Sequence, residues 1–381
     1  QVAFHLVQRQ AVTSVDDVVA LTLRVASPSL GFVYETSVEL SSKLRTEPYK
    51  RTFLSAMDLS AQYYGVREPT EVVDAQQYGL ALSLHGAGVE AIGQASSYSP
   101  KDWAYIVAAT NRRPFGFDWE EWGRLDGLEI LAHAKESFAI DPTRVHVTGH
   151  SMGGHGTWQF GTLLSGRFGV IGPSAGWCSF YTYGNTAKPT GAFARARASS
   201  DTANYVSNVA THPIYMIHGT ADDNVPLSQG EYMFGLVDPI TDVTFYQEPG
   251  AGHWWDGDAA AGADCVDWPP LFELMESTVI NPYELNFSYK TPSPMVNALH
   301  SYVTIRSCST AYSDCTITSS SDDAGTVTLT TDNVRSMTLN GDELAAQGVS
   351  TIVVDGADYA VTDGTLEVGP QDGKNPQVYG P

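Results

Sequence analysis

At 381 residues, with about 150 residues as the ordinary size of a domain, the chain holds two or three folded units and is too long for a disulfide-stapled miniature. Hydrophobic residues make up 43% and aromatic residues 11%, enough to bury a large core and to exclude a mainly disordered chain. The formal charge of -22 leaves Lys and Arg too sparse to follow a phosphate backbone, which excludes nucleic acid as a partner, and no run of 18 or more uncharged apolar residues is present to insert into a membrane.

The residue pattern changes character near residue 75 and again near residue 285, dividing the chain into regions 1–75, 76–285 and 286–381. The first reads as β-rich. Leu21, Leu23 and Val25 share one face of an extended segment, and Gln62, Tyr63 and Tyr64 form a second strand that Gly65 should end. This region is expected to contribute the first strands of the sheet that follows or to stand apart from it. The chain opens at Gln1 without a basic and then apolar leader, as a mature secreted chain would.

In the second region short apolar runs at 80–84, 103–108, 145–148, 168–171, 214–217 and 243–246 alternate with helical patterns at 120–138, 152–164 and 268–279. Leu125, Leu128, Leu131 and Ala132 recur at helical spacing, and Asp141 with Pro142 closes that segment. Buried apolar strands alternating with helices predict an α/β fold, a doubly wound and mostly parallel sheet. The third region is dominated by Ser, Thr, Asp and Gly, with strand alternation at 326–330 and 351–354, and predicts an all-β unit that ends in a polar tail at 371–381. Its 4 basic against 11 acidic residues again exclude a polyanion partner.

Four cysteines allow two bridges. Cys308 and Cys315 bracket a short polar segment that a hairpin disulfide can close, and Cys178 and Cys265 lie in two glycine-rich stretches that form a second candidate pair. The even count and the acidic, lysine-poor composition point to an oxidising compartment, extracellular or periplasmic.

Gly149-His150-Ser151-Met152-Gly153 follows the strand at 145–148 directly and opens a helix. This is G-x-S-x-G in the context that gives it meaning, a turn so sharp that the serine side chain stands clear of the backbone. A serine hydroxyl is a poor nucleophile at neutral pH, so it needs a neutral histidine and a carboxylate that orients the histidine. After the strand at 214–217 comes His218-Gly219-Thr220-Ala221-Asp222-Asp223, and after the strand at 243–246 comes Gly250-Ala251-Gly252-His253. Asp222, rather than Asp223, is the expected acid and His253 the expected base, each behind a strand where an open sheet gathers its ligands. His150, His155 and His218 are expected to pack or brace locally. An oxyanion needs N–H donors, expected from Met152 and from His85-Gly86-Ala87-Gly88, with Ala87 favoured and Gly86 close behind.

Two aromatic segments fall at strand ends. Trp119, Trp177, Phe180 and Trp254 are the expected wall of a substrate pocket, and Arg112 or Arg113 is expected either to meet a substrate carboxylate or to pair with Asp118 or Glu120. No His-Glu-x-x-His or paired Cys/His spacing is present, so neither a metal nor another cofactor is expected.

These segments, over about residues 76–280, resemble the α/β-hydrolase superfamily, and within it the prolyl-oligopeptidase-like and polyhydroxybutyrate-depolymerase/feruloyl-esterase-like groups. The resemblance implies Ser151 as nucleophile, Asp222 as acid, His253 as base and an acyl-enzyme intermediate. Prolyl oligopeptidases carry a large propeller that residues 1–75 are too few to form, and no residues for gripping a peptide amino terminus are identifiable here. The leading expectation is therefore a carboxylic ester hydrolase acting on phenolic or acetyl esters of polysaccharides or on polyesters. A serine peptidase of the same clan is the second expectation, and a non-catalytic binding protein that keeps the fold is the third.

Overall fold

The computed structural model describes residues 18–41, 43, 44, 46–113 and 115–369; the polar tail at 371–381 lies outside the described residues. The first described elements are a long antiparallel hairpin, β1 (Val18–Ser27) and β2 (Phe32–Ser41), which pairs with no other described strand. Next come β3 (Tyr49–Leu54) and β4 (Ala61–Arg67), then β5 (Tyr78–Leu84), α1 (Ala91–Ser96), β6 (Ala104–Ala108), α2 (Glu121–Ser137), β7 (Ile140–His150) and α3 (Met152–Leu163). The α/β pattern continues through β8 (Ile171–Ser174), α4 (Gly191–Ala196), β9 (Ile214–Gly219), α5 (Leu227–Val237), β10 (Val243–Glu248) and α6 (Pro269–Ser277).

Strands β3 to β10 form one eight-stranded sheet in the order β10-β9-β8-β7-β5-β6-β4-β3, parallel from β10 through β6 and antiparallel where β4 and β3 complete the edge. With β7 at its centre and helices on its faces, this is the fold of the α/β-hydrolases. Every residue of β5 is buried, as a strand covered on both faces requires. Leu80, Leu82 and Leu84 join the cluster on one face with Val107, Ile171 and Met216, while Ala81 joins Ile106, Val170 and Ile217 on the other.

Three details depart from expectation. Gly65 does not end its strand: it pairs with Ala108 and Lys50, and a Cβ there would lie 2.5 Å from the Ala91 carbonyl, so glycine marks the close approach of α1. The strand expected at 168–171 runs over Ile171–Ser174 instead, because a 3-10 turn at Ser165–Arg167 delivers Phe168 and Val170 into the core before the strand begins. Cys178 and Cys265 do not pair. They are free and buried in the two clusters on opposite faces of the sheet, whereas Cys308 and Cys315 do form a disulfide, with Cα atoms 6.4 Å apart.

Beyond α6 the chain is nearly all β. The strands are β11 (Phe287–Thr291), β12 (Leu299–His300), β13 (Val303–Cys308), β14 (Cys315–Ser321), β15 (Thr326–Asp332) and β16 (Val334–Asn340). After α7 (Gly341–Ala346) follow β17 (Thr351–Val354), β18 (Ala357–Ala360) and β19 (Thr365–Val368). They make a five-stranded sheet, β11-β14-β15-β17-β18, and a four-stranded sheet, β12-β13-β16-β19, around a separate core that includes Tyr289, Ile305, Leu329 and Ile352. Asn208 and Asn297 join this unit to the hydrolase sheet: Asn208 exchanges two 2.8 Å hydrogen bonds with the Lys290 backbone, and Asn297 donates to the Leu163 carbonyl at the end of α3.

Candidate active site

Between β7 and α3 the backbone of Ser151 sits at φ 61° and ψ -121°, a conformation that a non-glycine residue adopts only when its surroundings enforce it. The enforcement is steric and local. A Cβ at Gly153 would run into the Leu84 carbonyl and one at Gly149 would sit 2.6 Å from the same oxygen, so only glycines let the turn lie against the end of β5. Hydrogen bonds from Ser151 N to Ser174 O (2.9 Å) and from His155 N to Ser151 O (3.0 Å) tie the turn to β8 and α3.

The loops after β9 and β10 are joined to each other before they reach the serine. Thr220 N donates to Glu248 O and Ala221 N to Ala251 O, and Gly219 has no room for a side chain against Ala251. This brings His253 between two partners: its Nδ1 lies 2.8 Å from Asp222 Oδ2, and its Nε2 lies 2.9 Å from Ser151 Oγ. A carboxylate only accepts, so Nδ1 carries the proton and Nε2 is the acceptor for the serine hydroxyl. Asp222 Oδ1 also accepts 2.9 Å bonds from Asn224 N and Val225 N, while Asp223 is exposed. Burial pushes the Asp222 carboxyl up, but hydrogen bonds from His218, His253 and the two backbone amides outweigh it and hold the group well below the usual carboxylate range. His218 braces the loop through Val225 O at 2.8 Å.

Gly86 is buried beside the elbow, where a Cβ would lie 3.3 Å from His150 O and 3.5 Å from Ser151 Cβ. Ala87 stands exposed just beyond it. Met152 occupies the first helical position of α3, whose N–H has no acceptor within the helix. Gly86 and Met152 therefore border the serine.

The expected pocket wall is only partly assembled. Trp119 is fully buried: its Nε1 donates to His85 O at 3.1 Å and its ring lies edge-on to His85, so it braces the Gly86 loop from behind and offers substrate no surface. Arg112 does not face the pocket and does not pair with Asp118 or Glu120. Its guanidinium lies 3.2 Å from Asp126, 3.3 Å from Glu129 and 3.6 Å from Asp58, because helix α2 turns those first two carboxylates toward it. Arg113 lies over the Phe117 ring. Trp177 is buried, stacked between His155 and Tyr183, and Phe180 meets its edge. Trp254 is 51% exposed beside His253.

Two aromatic residues were not anticipated. Tyr183 stacks on Trp177 at 4.3 Å and its hydroxyl reaches the Asn224 carbonyl at 3.3 Å, linking the aromatic cluster to the acid loop. Phe115 is 69% exposed and covers Gly88. Both lie within or just beyond the aromatic-rich segments, so their composition was the available signal. Among the described residues an acidic trio, Asp256, Asp258 and Asp264, also lies in the loop that follows His253.

With this geometry in view, residues 109–265 match the prolyl oligopeptidase family, a stretch that spans the elbow and both triad loops. The chain is 27% identical over 272 residues to an uncharacterized secreted protein of Arthroderma benhamiae, covering 61% of this chain and 29% of that one. It thus spans less than a third of that relative's length. Similar solved structures include a putative dipeptidyl aminopeptidase IV from Bacteroides ovatus, at 14% identity over 68% of this chain and 43% of that chain, with a TM-score of 0.48. A CE1 ferulic acid esterase from the anaerobic fungus Anaeromyces mucronatus shows 16% identity over 61% of this chain and 90% of that chain, with a TM-score of 0.45. An acylaminoacyl peptidase from Pyrococcus horikoshii shows 18% identity over 58% and 42%, with the same TM-score of 0.45.

Proposed function

We propose that this chain is a serine hydrolase that cleaves carboxylic esters, with Ser151 as nucleophile, His253 as general base and Asp222 as the carboxylate that orients it. The observation that carries the reading is the unbroken chain of hydrogen bonds from Ser151 Oγ to His253 (2.9 Å) and from His253 to Asp222 (2.8 Å) at a strained elbow. Ser151 Oγ attacks the ester carbonyl carbon while its proton passes to His253 Nε2. The tetrahedral oxyanion is met by the N–H of Met152 and by that of Gly86 or Ala87. His253 returns the proton to the departing alcohol, and water then repeats the sequence on the acyl-enzyme.

The preference for esters over peptides is supported by the surroundings of the serine. Trp254, which follows His253, and Phe115, which lies over Gly88, are exposed aromatic side chains, while Arg112 and Glu120 are engaged in internal pairs and do not offer a charge to a peptide terminus. Phenolic or acetyl esters carried on an extracellular polymer suit such a site, and the disulfide and the secreted relative favour secretion. Among the described residues no helix is long and apolar enough to cross a membrane. A peptidase is the second reading, favoured by the match to the prolyl oligopeptidase family.

The test compares the wild-type chain and its Ser151→Ala variant on p-nitrophenyl acetate and butyrate, methyl ferulate and a prolyl p-nitroanilide peptide. Ester turnover that disappears in the variant, with no amide cleavage, supports the esterase. Cleavage of the anilide selects the peptidase, and a wild-type chain that neither turns over any substrate nor reacts with a fluorophosphonate overturns both.

A further inference from the structure

Asn286-Phe287-Ser288 is the one Asn-x-Ser/Thr sequon in this sequence, and no proline interrupts or follows it. It lies where the chain enters the C-terminal unit: Asn286 stands immediately before β11, and Phe287 and Ser288 open that strand. Along an extended segment alternate side chains take opposite faces. Asn286 and Ser288 are exposed, while Phe287 and Tyr289 are buried in the C-terminal core, Phe287 edge-on to the rings of His300 and Tyr302. The amide and the hydroxyl two residues on therefore share the solvent side, and burial of the residue between them fixes that orientation.

The surroundings leave room for a bulky group. Ser288 pairs with Thr318 and Thr318 with Thr330, and Ser320 pairs with Thr328, so the neighbours on this face are short hydroxyl side chains, all of them exposed. The Asn286 amide is oriented by Ser321, whose N–H donates to Oδ1 at 2.7 Å and whose Oγ accepts from Nδ2 at 3.0 Å. A sugar in place of one Nδ2 hydrogen leaves the 2.7 Å bond intact. Ser321 Oγ also lies 3.2 Å from Oδ1 and can donate there in place of the bond from Nδ2, so the side chain keeps its anchor.

Resting on the secretion proposed above, which the Cys308–Cys315 bridge in this same unit favours, we propose that Asn286 is an N-glycosylation site. Nδ2 forms a bond to C1 of the first sugar of a lipid-pyrophosphate-linked oligosaccharide. The bond from C1 to the pyrophosphate oxygen breaks, and Nδ2 gives up one proton as the lipid pyrophosphate leaves. The Ser288 hydroxyl marks Asn286 for the transferase, and the exposed strand face lets the folded chain keep the product. The glycan stands on a unit that supplies no residue of the proposed triad, so turnover does not depend on it.

The experiment secretes the whole chain from a eukaryotic host behind a secretory leader and measures its intact mass before and after peptide-N-glycosidase. That enzyme converts a glycosylated asparagine to aspartate, so digestion in heavy-oxygen water also labels the site. Wild type is expected above its polypeptide mass, falling to it on digestion, with the label at Asn286. Asn286→Gln and Ser288→Ala are expected at the bare polypeptide mass and Ser288→Thr at the glycosylated mass. All three should turn over p-nitrophenyl butyrate within about 2-fold of wild type.

A wild-type chain that is secreted with its disulfide formed, yet at bare polypeptide mass, overturns the inference and leaves secretion standing. A sugar mass that persists in Asn286→Gln overturns it as well. If Asn286→Gln is not secreted, the labelled wild-type peptide and the two Ser288 variants decide. A wild-type chain retained in the cell with Cys308 and Cys315 reduced overturns the secreted reading, and this inference with it. A secreted chain inert to esters overturns the esterase reading alone, since the mass measurement needs no turnover.

Discussion

The hydrolase sheet and the C-terminal β unit are both closed around apolar cores, yet they treat buried polar groups in opposite ways. In the C-terminal unit such groups satisfy one another close to home: Tyr302 bonds Ser319 at 2.5 Å, Ser319 bonds the Leu285 carbonyl, and Tyr289 bonds the Asn297 carbonyl. At the carboxyl edge of the hydrolase sheet, buried His150, His218 and Asp222 converge on a serine in a disfavoured backbone conformation. The C-terminal unit has exceptions of its own, since Ser301, Tyr312, Asn333 and Asp355 take positive φ and neither ring nitrogen of the buried His300 has a hydrogen bond among the described residues. What sets the sheet edge apart is that the strained residue, Ser151, is hydrogen-bonded to a histidine and through it to a buried carboxylate.

The sharpest way to expose that contrast is Ser151→Ala. It is expected to remove ester turnover by at least about 10³-fold while leaving the melting temperature at or slightly above that of wild type, since the change relieves no core contact. Steady-state rates and a thermal melt check both halves. Arg112→Ala should do the reverse. It leaves Asp126, fully buried, without its cation, and is expected to lose about 3 kcal/mol of stability in denaturant titration with KM little changed. A changed KM would restore Arg112 as a substrate contact.

Opening the Cys308–Cys315 bridge by Cys308→Ser with Cys315→Ser removes a constraint on a short loop and is expected to cost about 2 kcal/mol, confined to the C-terminal unit, with turnover unaffected. Loss of activity in that variant would show that the two units are coupled more tightly than their separate cores indicate.

A further effect is one of pH. Burial holds His146 and His150 down to about 3 and His212 down to about 4 in the folded chain. Above about pH 6.5 these rings are neutral whether the chain is folded or unfolded, so they do not affect stability. Below that value the unfolded chain takes up protons first, and stability falls as pH drops toward 4 and 3, where the folded rings begin to charge. Asp222, depressed in the folded state, adds to the loss in the same direction but only below the ordinary carboxylate range. Melting temperatures between pH 7 and 4 should decline, and replacing His146 by Asn should flatten part of that decline. An unchanged slope in that variant would remove His146 from the account.

The glycine-flanked turn at Ser151 and the loops that carry Asp222 and His253 were legible in the sequence because each is a short local signal. Glycines are required where backbones touch, and the order Ser151, Asp222, His253 follows the order of strands that a parallel sheet imposes. The change of pattern near residue 285 falls between α6 and β11, whereas the one near residue 75 divides no two units, since β3 and β4 before it belong to the same eight-stranded sheet. Arg112, Trp119 and the pair Cys178 and Cys265 were read from proximity along the chain, and each depends on partners brought from elsewhere. Asp126 and Glu129 come from a helix, His85 from the end of another strand, and the two cysteines from opposite faces of one sheet.

By itself, then, the sequence determined which residue types stand at the strand ends, in what order, and with what freedom of backbone. Only the tertiary structure decided which of the remaining polar and aromatic groups face that chemistry and which support it. Hydrogen-bond direction and burial are properties of pairs. A histidine such as His150 acquires its buried, neutral state and its place beside His253 only when Ser174 and His253, distant along the chain, are folded around it.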